Sequence, residues 1–332
     1  MSEDIGIDLG TATVLIYVKN KGIVLREPSA VAIDKKNNAI LAYGKEAKKM
    51  IGRTPNSIET IRPLEDGVIS NFTATAKMLK YFIKKACASK FTSNRIMVCV
   101  PAQITEVERR AVIDALLDTG TKKVFLIEEP VAAAIGAGID ISKPVGNLVI
   151  DVGGGTTDVA VISIGGSVVS TTINVAGDKF DNEIIKYVRK KYNMLIGKET
   201  AEKIKIEVGC VYPKEQKNSI IARGRNLETS LPEEVEIKSD ELINVLLPSV
   251  IKIIEAVKET IEKAPPELVE DISEKGIYMT GGGSLLYGIN KLIEESTGIK
   301  VMIAEDAISC VAIGTGKALD NINLLDERKK KC

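Results

Sequence analysis

Leu148-Val149-Ile150-Asp151-Val152-Gly153-Gly154-Gly155-Thr156-Thr157-Asp158-Val159-Ala160-Val161-Ile162 decides how this chain is read. Two β-branched runs flank a turn of three glycines and two threonines. The first run reads as a buried strand and the second as its antiparallel partner. Glycines lack Cβ and tolerate positive φ, so the backbone N–H groups of such a turn can close on a ligand. A concave set of these groups binds anions. Asp151 stands just before the turn, where a carboxylate repels a bare phosphate. The combination makes sense with Mg²⁺ and its waters between them, since Mg²⁺ binds through one or two carboxylates plus phosphates. An ordinary glycine hairpin is the other reading.

A second stretch repeats the pattern. Ile5-Gly6-Ile7-Asp8-Leu9-Gly10-Thr11-Ala12-Thr13-Val14-Leu15-Ile16-Tyr17-Val18 again runs apolar strand, Asp, Gly/Thr turn, apolar strand. Repetition constrains a whole fold. Two such hairpins facing one another would hold a nucleotide between them. Both turns return as strands, so the strand-to-helix dinucleotide fingerprint does not apply, and no Gly-x-x-x-x-Gly-Lys-Ser/Thr occurs.

Bulk properties narrow the chemistry. A chain of 332 residues is long for one core, and two domains are expected. Lys plus Arg and Asp plus Glu both number 45, so no global field favours nucleic acid. Histidine is absent, which removes His-based acid–base catalysis, His metal sites and the Ser-His-Asp triad. Cys87, Cys99, Cys210, Cys310 and Cys332 form no C-x-x-C pair and fit a reducing compartment. Met1-Ser2-Glu3-Asp4 leads straight into the first apolar run, so neither signal peptide nor targeting helix is expected. No apolar run approaches the ~18 residues of a membrane span.

Along the chain, residues 33–65 read as a small inserted subdomain with a short helix near Lys45–Ile51. Phe72 to Ala88 carries an apolar helical face. Thr105-Glu106-Val107-Glu108 is a capping box opening a helix that ends near Gly120. Strands Arg95–Val100 and Val124–Ile127 alternate with helices, which implies parallel pairing and an α/β fold. Later come helices at Phe180–Tyr192 and Glu199–Val208, a polar sheet within 212–238, and a long helix Ser239–Lys263 carrying Pro248. Strand Ile277–Thr280 meets Gly281-Gly282-Gly283-Ser284, which is expected to open a helix at Leu285.

Two motifs leave their chemistry open. Glu128 and Glu129 lie between strand and helix, where a carboxylate either orients a water for attack on a γ-phosphate or simply stabilises a helix start. Thr156 either bonds the same water or holds its own turn. Glu202 and Lys205 share a helix face; they either bracket a ribose or purine, or form a solvated ion pair, and by themselves favour the pair.

Taken together these residues resemble a known family. Asp8-Leu9-Gly10-Thr11, the Asp151–Thr157 turn and Thr280-Gly281-Gly282-Gly283-Ser284 look like the two phosphate motifs and the adenosine motif of the actin/Hsp70/sugar-kinase superfamily. Gly22–Ser29, Val107-Glu108-Arg109-Arg110-Ala111, Ile127-Glu128-Glu129-Pro130, Ala132–Gly138 and Pro265-Pro266-Glu267-Leu268 resemble the MreB/Mbl family of bacterial actins, from Ile5 to about Leu319. The resemblance implies an actin-like ATPase fold, two RNase H-like domains, each with a smaller inserted subdomain, around a central nucleotide cleft. Domain bounds of 1–147 and 148–332 follow, with a second insert at 180–245 and residues 310–332 packing back on the first domain. It implies ATP and Mg²⁺ as cofactors, with Asp8 and Asp151 holding Mg²⁺ through water. Gly10, Thr11, Ala12, Thr13, Gly153, Gly154 and Gly155 would cradle phosphates, and Glu129 and Thr156 would position the attacking water. Gly177, Glu202, Lys203, Ile204, Lys205, Gly282, Gly283, Ser284 and Leu285 would complete the nucleotide contacts.

The resemblance further implies polymerisation into antiparallel double filaments on the inner face of the cell membrane, in a cytoplasmic protein that works with the cell-wall elongation machinery in setting cell shape. One departure stands out: the family's Ala-Asn-Thr is here Ala12-Thr13-Val14, so Thr13 loses an amide beside the phosphates. With no amphipathic helix ahead of the first strand, membrane contact falls to the loop Ala88–Ser93 around Phe91, or to the basic tail Arg328-Lys329-Lys330-Lys331. A chaperone-type ATPase would need a substrate domain beyond the nucleotide fold. A small-molecule kinase would need a base for a substrate hydroxyl.

Overall fold

A computed structural model describes residues 4–87, 95–216 and 218–321. The first hairpin is β1 (Asp4–Leu9) and β2 (Thr13–Val18), followed by β3 (Gly22–Pro28). The chain then builds β4 (Val31–Asp34), β5 (Ile40–Tyr43), α1 (Gly44–Met50), β6 (Ile58–Ile61), β7 (Leu64–Glu65) and β8 (Val68–Ile69). Next are α2 (Phe72–Ala86), β9 (Arg95–Val100), α3 (Glu106–Leu117), β10 (Lys123–Glu128) and α4 (Glu129–Gly136). The second hairpin, β11 (Asn147–Val152) and β12 (Thr157–Ser163), continues into β13 (Gly166–Ile173), α5 (Gly177–Tyr192), β14 (Met194–Leu195) and α6 (Lys198–Val208). β15 (Ser219–Asn226), β16 (Pro232–Lys238), α7 (Ser239–Lys263), α8 (Pro266–Lys275), β17 (Ile277–Thr280), α9 (Ile289–Thr297), β18 (Val301–Ile303) and α10 (Cys310–Ala318) complete it.

The two hairpins found in the sequence sit at equivalent places in two matching sheets. One runs β10-β9-β1-β2-β3 and the other β13-β12-β11-β17-β18. In each, three antiparallel strands are extended by two parallel ones. β11 is buried along its whole length, as expected for a strand covered on both faces. Leu148, Ile150 and Val152 join the core beneath α5 and α7, while Val149 faces the other way, toward α4. The strand after Pro28 starts a separate sheet, β5-β4-β6, at Val31 rather than at residue 33. Ala30, Ala32 and Ala47 form its own small cluster.

Two short helices of small residues lie between the large sheets. α4 lies against β9, β10, β11 and β12, and α10 against β1, β2 and β9. They meet at backbone distance: a Cβ on Gly136 would stand 1.8 Å from the Cys310 carbonyl oxygen, and one on Gly314 1.7 Å from that of Ala132. The Ala132-Ala133-Ala134 run is fully buried at this seam. Small side chains are what let backbones approach this closely, which accounts for the composition of both helices.

The capping box at α3 forms in full. Glu108 N–H donates to Thr105 Oγ1 at 3.3 Å, and Thr105 N–H to Glu108 Oε2 at 2.9 Å. The helix expected at Leu285 does not start there. Gly282–Leu285 is a 3-10 turn, and α9 begins only after Gly288, at φ +88°. The delay has a tertiary cause: Tyr287 pairs with Cys210, its carbonyl accepting from Val211 N–H at 2.9 Å, so the chain runs extended there first. Phe91 and the basic tail lie outside the described residues. Among the described residues no helix is long and apolar enough to cross a membrane.

The helix seam generates a stability prediction. Gly314→Ala, whose methyl has no space, should destabilise by about 3 kcal/mol or more, since overpacking a rigid seam moves backbone. Gly197→Ala, with nothing within 4 Å of its Cβ, should stay within about 1 kcal/mol. Denaturant melts of both variants check this; equal midpoints would mean the seam yields.

Candidate functional site

Asp8 and Asp151 are the next-to-last residues of β1 and β11, so matching sheets bring two carboxylates to the floor of one cavity of about 520 Å³. The two glycine turns form opposing walls and touch. A Cβ on Gly154 would lie 2.7 Å from that of Ala12, and one on Gly155 2.8 Å from Thr11 Oγ1. The first turn is held from outside: Ser29 Oγ donates to Gly10 O at 2.5 Å, and Ser29 N–H to Ala12 O at 3.0 Å. The second is held by α5, where Gly177 N–H donates to Gly153 O at 3.2 Å and Asp178 N–H to Gly154 O at 2.8 Å. The acceptors of that turn are thereby engaged by the helix start.

The floor is electrostatically strained. Burial, then the Asp151 charge, pushes Asp8 up to about 7, against the pull of the Cys99 thiol 3.5 Å away. Burial pushes Asp151 to about 7 as well, opposed by the Thr280 hydroxyl donating at 2.7 Å. Glu129, first residue of α4 and 9% exposed, is driven well above the carboxylate range by burial, then by Asp158, Asp151 and Asp8. Buried carboxylates that raise one another's proton affinity are what a cation would relieve. Among the described residues no three Asp, Glu, Cys or His side chains cluster as a direct metal cage. The donor set therefore fits Mg²⁺ held through few carboxylates with oxygen ligands from water and phosphate.

The pair Glu128 and Glu129 separates. Glu129 lines the cavity with Thr156, while Glu128 turns away and accepts from Ser167 Oγ at 2.6 Å. Gly10, Thr11, Ala12, Thr13, Gly153, Gly154, Gly155 and Gly177 also line it. Glu202 and Lys205 both face the cavity, but the ion pair favoured from their spacing does not form. Lys48 of α1 reaches across the cleft to Glu202 at 2.6 Å, and Lys205 bonds Asp181 at 2.9 Å and Gly177 O at 3.0 Å. Longer-range partners with better burial outcompete an exposed i,i+3 contact.

Of the remaining expected residues, Gly282, Gly283 and Leu285 line the cavity and three do not. Lys203 is on the outer side of α6 near Glu207, Ile204 is in the core, and Ser284 is fully buried, its hydroxyl donating to Gly281 O at 2.7 Å. On a helix, consecutive residues point in different directions, so the run 202–205 cannot all face one ligand. Sequence reading missed Arg62, Gly67, Asp178, Asp181, Lys214, Tyr287 and Ile308, which also line the cavity. Asp178 was within reach as the neighbour of Gly177. Arg62, Lys214 and Tyr287 arrive through tertiary contacts that leave no local pattern.

A family description, "MreB/Mbl protein", matches residues 2–327. The cell shape-determining protein Mbl of Bacillus cereus is 51% identical over 98% of this chain and 98% of its own length. The cell shape-determining protein MreB of Escherichia coli is 49% identical over 97% and 95%. MreB 5 of Spiroplasma citri bound to AMPPNP superposes with a TM-score of 0.92 at 39% identity, covering 99% of both chains. Its ADP-bound form gives 0.92 at 40%, again over 99% of both chains. The MamK double helical filament, at 17% identity and TM-score 0.81 over 96% of this chain and 99% of its own, shares the fold. The fold is therefore actin-like, and with its family description and its relatives both matching over nearly full length, the chain belongs to the MreB/Mbl family.

Proposed function

We propose that this chain is a bacterial actin that binds and hydrolyses ATP and polymerises into membrane-associated filaments that organise cell-wall synthesis and cell shape. The observation that carries the reading is the facing pair of glycine hairpins, each with an Asp beneath it, Asp151 buried and Asp8 half-buried, and Glu129 beside them. One relative of the same fold, MreB 5 of Spiroplasma citri, binds AMPPNP and ADP, and relatives of this family determine cell shape. The domain division at about residue 147 follows the two matching sheets. The protein would work in the cytoplasm against the inner membrane face, with membrane contact assigned to the segment around Phe91.

Asp8 and Asp151 would hold Mg²⁺, and the ion would supply neutralisation of phosphate charge. The backbone N–H groups of Thr11 to Thr13 and Gly153 to Gly155 orient the phosphates. Burial, and after it the charges of Asp158, Asp151 and Asp8, favours the protonated form of Glu129; a cation held at Asp8 and Asp151 would offset two of those charges. Glu129 then accepts the proton of the attacking water, while the Thr156 hydroxyl fixes that water's direction. Hydrolysis in the filament thus depends on positioning and charge rather than covalent chemistry.

Glu129→Ala should slow ATP hydrolysis about 10²-fold, the size of a general-base effect, with nucleotide binding retained. Steady-state phosphate release at the wild-type rate would sink the assignment.

Asp8 and Asp151 ionise in the folded protein at about 7 rather than at the ordinary 3.8. Folding therefore favours their protonated forms. This stabilising contribution is complete below the ordinary value, falls as pH rises, and is lost above about 7. Nucleotide-free and metal-free Asp151→Asn should melt higher than wild type at alkaline pH and vary less with pH. With Mg·ATP present the order should reverse, because asparagine holds the ion less well. Parallel Tm–pH curves for the two proteins would contradict this.

Protofilament pairing is assigned to the start of α3. Val107 is 80% exposed and contributes nothing to the core, with Glu106 and Arg110 exposed beside it. In a two-fold antiparallel contact the patch meets itself, so one substitution acts twice. Val107→Glu should leave ATP binding and Tm intact and give single protofilaments, since like charges in an interface core cost several kcal/mol. Electron micrographs with paired filaments of normal width would refute the interface.

A further inference from the structure

We propose that Arg62 is the residue that recognises the terminal phosphate of the bound nucleotide, an assignment that rests on the nucleotide reading above. Arg62 belongs to neither glycine turn. It follows β6, and its side chain, 21% exposed, lines the cavity. Nη1 donates to Asp178 Oδ1 at 2.6 Å. The Asp178 N–H in turn donates to Gly154 O at 2.8 Å. The guanidinium is therefore linked through one residue to the second glycine turn. Gly67, on the β7–β8 hairpin that follows Arg62, lies against Thr156: a Cβ there would meet Thr156 Cγ2 at 3.2 Å. These contacts tie Arg62 to the second glycine turn through Asp178, and the hairpin that follows Arg62 to Thr156.

Charge points the same way. Among the described residues, the cations lining the cavity are Arg62, Lys205 and Lys214. Lys205 is engaged by Asp181 and the Gly177 carbonyl. Lys214 sits over the Tyr287 ring, 4.6 Å from its centroid. Arg62 is also paired, with Asp178, but through it joins the second glycine turn, in a cavity whose floor residues Asp8, Glu129 and Asp151 are all acidic. A guanidinium offers five donors in a planar fork and binds phosphate bidentately. Its bond to Asp178 leaves donors for a second anion. Arg62 would then bridge Asp178 and the terminal phosphate while a triphosphate is bound, and return to Asp178 alone after phosphate leaves.

A plain cleft clasp is the competing account, and it has its own examples. Lys48 to Glu202 at 2.6 Å and Arg53 to Glu199 at 3.8 Å cross the same cleft. Lys48 and Arg53 do not line the cavity, whereas Arg62 does.

The test is calorimetric affinity for Mg·AMPPNP and Mg·ADP, measured on wild type, Arg62→Ala, Arg62→Lys and Lys48→Ala. A charged hydrogen-bond pair corresponds to about 10- to 10²-fold in affinity. Arg62→Ala should lose about that factor for AMPPNP and less than about twofold for ADP. Arg62→Lys, which keeps the charge but not the fork, should lose about tenfold for AMPPNP alone. Lys48→Ala should shift both nucleotides alike, as loss of a clasp would. Equal losses for both nucleotides in the Arg62 variants, or none, overturn the assignment. Arg62→Lys decides the matter if Arg62→Ala is insoluble. A wild-type protein that binds neither nucleotide would instead overturn the nucleotide reading itself.

Discussion

The backbone contact between α4 and α10 is the constraint on which the rest depends. Gly136 faces a carbonyl of α10, and Gly314 faces a carbonyl of α4, with no room for a methyl at either. The seam places two matching sheets at one separation. Asp8 and Asp151 are the next-to-last residues of equivalent strands of those sheets, so the seam acts on their spacing together with the contact between the two glycine turns. Glu129 is the first residue of one seam helix, which ties its position to the same seam. A site needing two anchored carboxylates and a third group between them is thus built from packing, with little reliance on side-chain flexibility.

The cost of that arrangement is electrostatic. Three carboxylates are buried together, and two of them ionise only near 7. Without histidine in the chain, the acid–base capacity of the cavity falls to its carboxylates, lysines and Tyr287. Burial first, and neighbouring carboxylate charges after it, make the site favour protons; on the proposed reading a bound cation would take over that role. Binding and folding stability are therefore linked through the same atoms.

Much of the fold was legible because its signals are local. β-branched runs around glycine turns gave both hairpins, and Thr105 with Glu108 announced the start of α3. The helix after Thr280 was misplaced because Tyr287 is claimed by Cys210, a partner 77 positions away in the chain. The site was legible where a turn brings its residues together, as at Gly153–Thr156. It was illegible where residues arrive separately: Glu202 finds Lys48, Lys205 finds Asp181, and Arg62 finds Asp178. Lys203 and Ile204 were drawn in by adjacency, which helical geometry does not respect. Ser284 looked like a ligand group and instead closes its own turn.

The first turn of α3 is secured by its own capping box, while the helix's burial rests further along on Val112, Ala115 and Leu116. Glu106, Val107 and Arg110 consequently carry no duty toward the core. Sequence drift at these three positions is nearly free of folding cost, so this turn can diverge faster than the cleft. If the proposed protofilament contact lies on this turn, such divergence would sort like with like where two related chains share one cell, and would keep their assemblies from mixing without any change to the cleft.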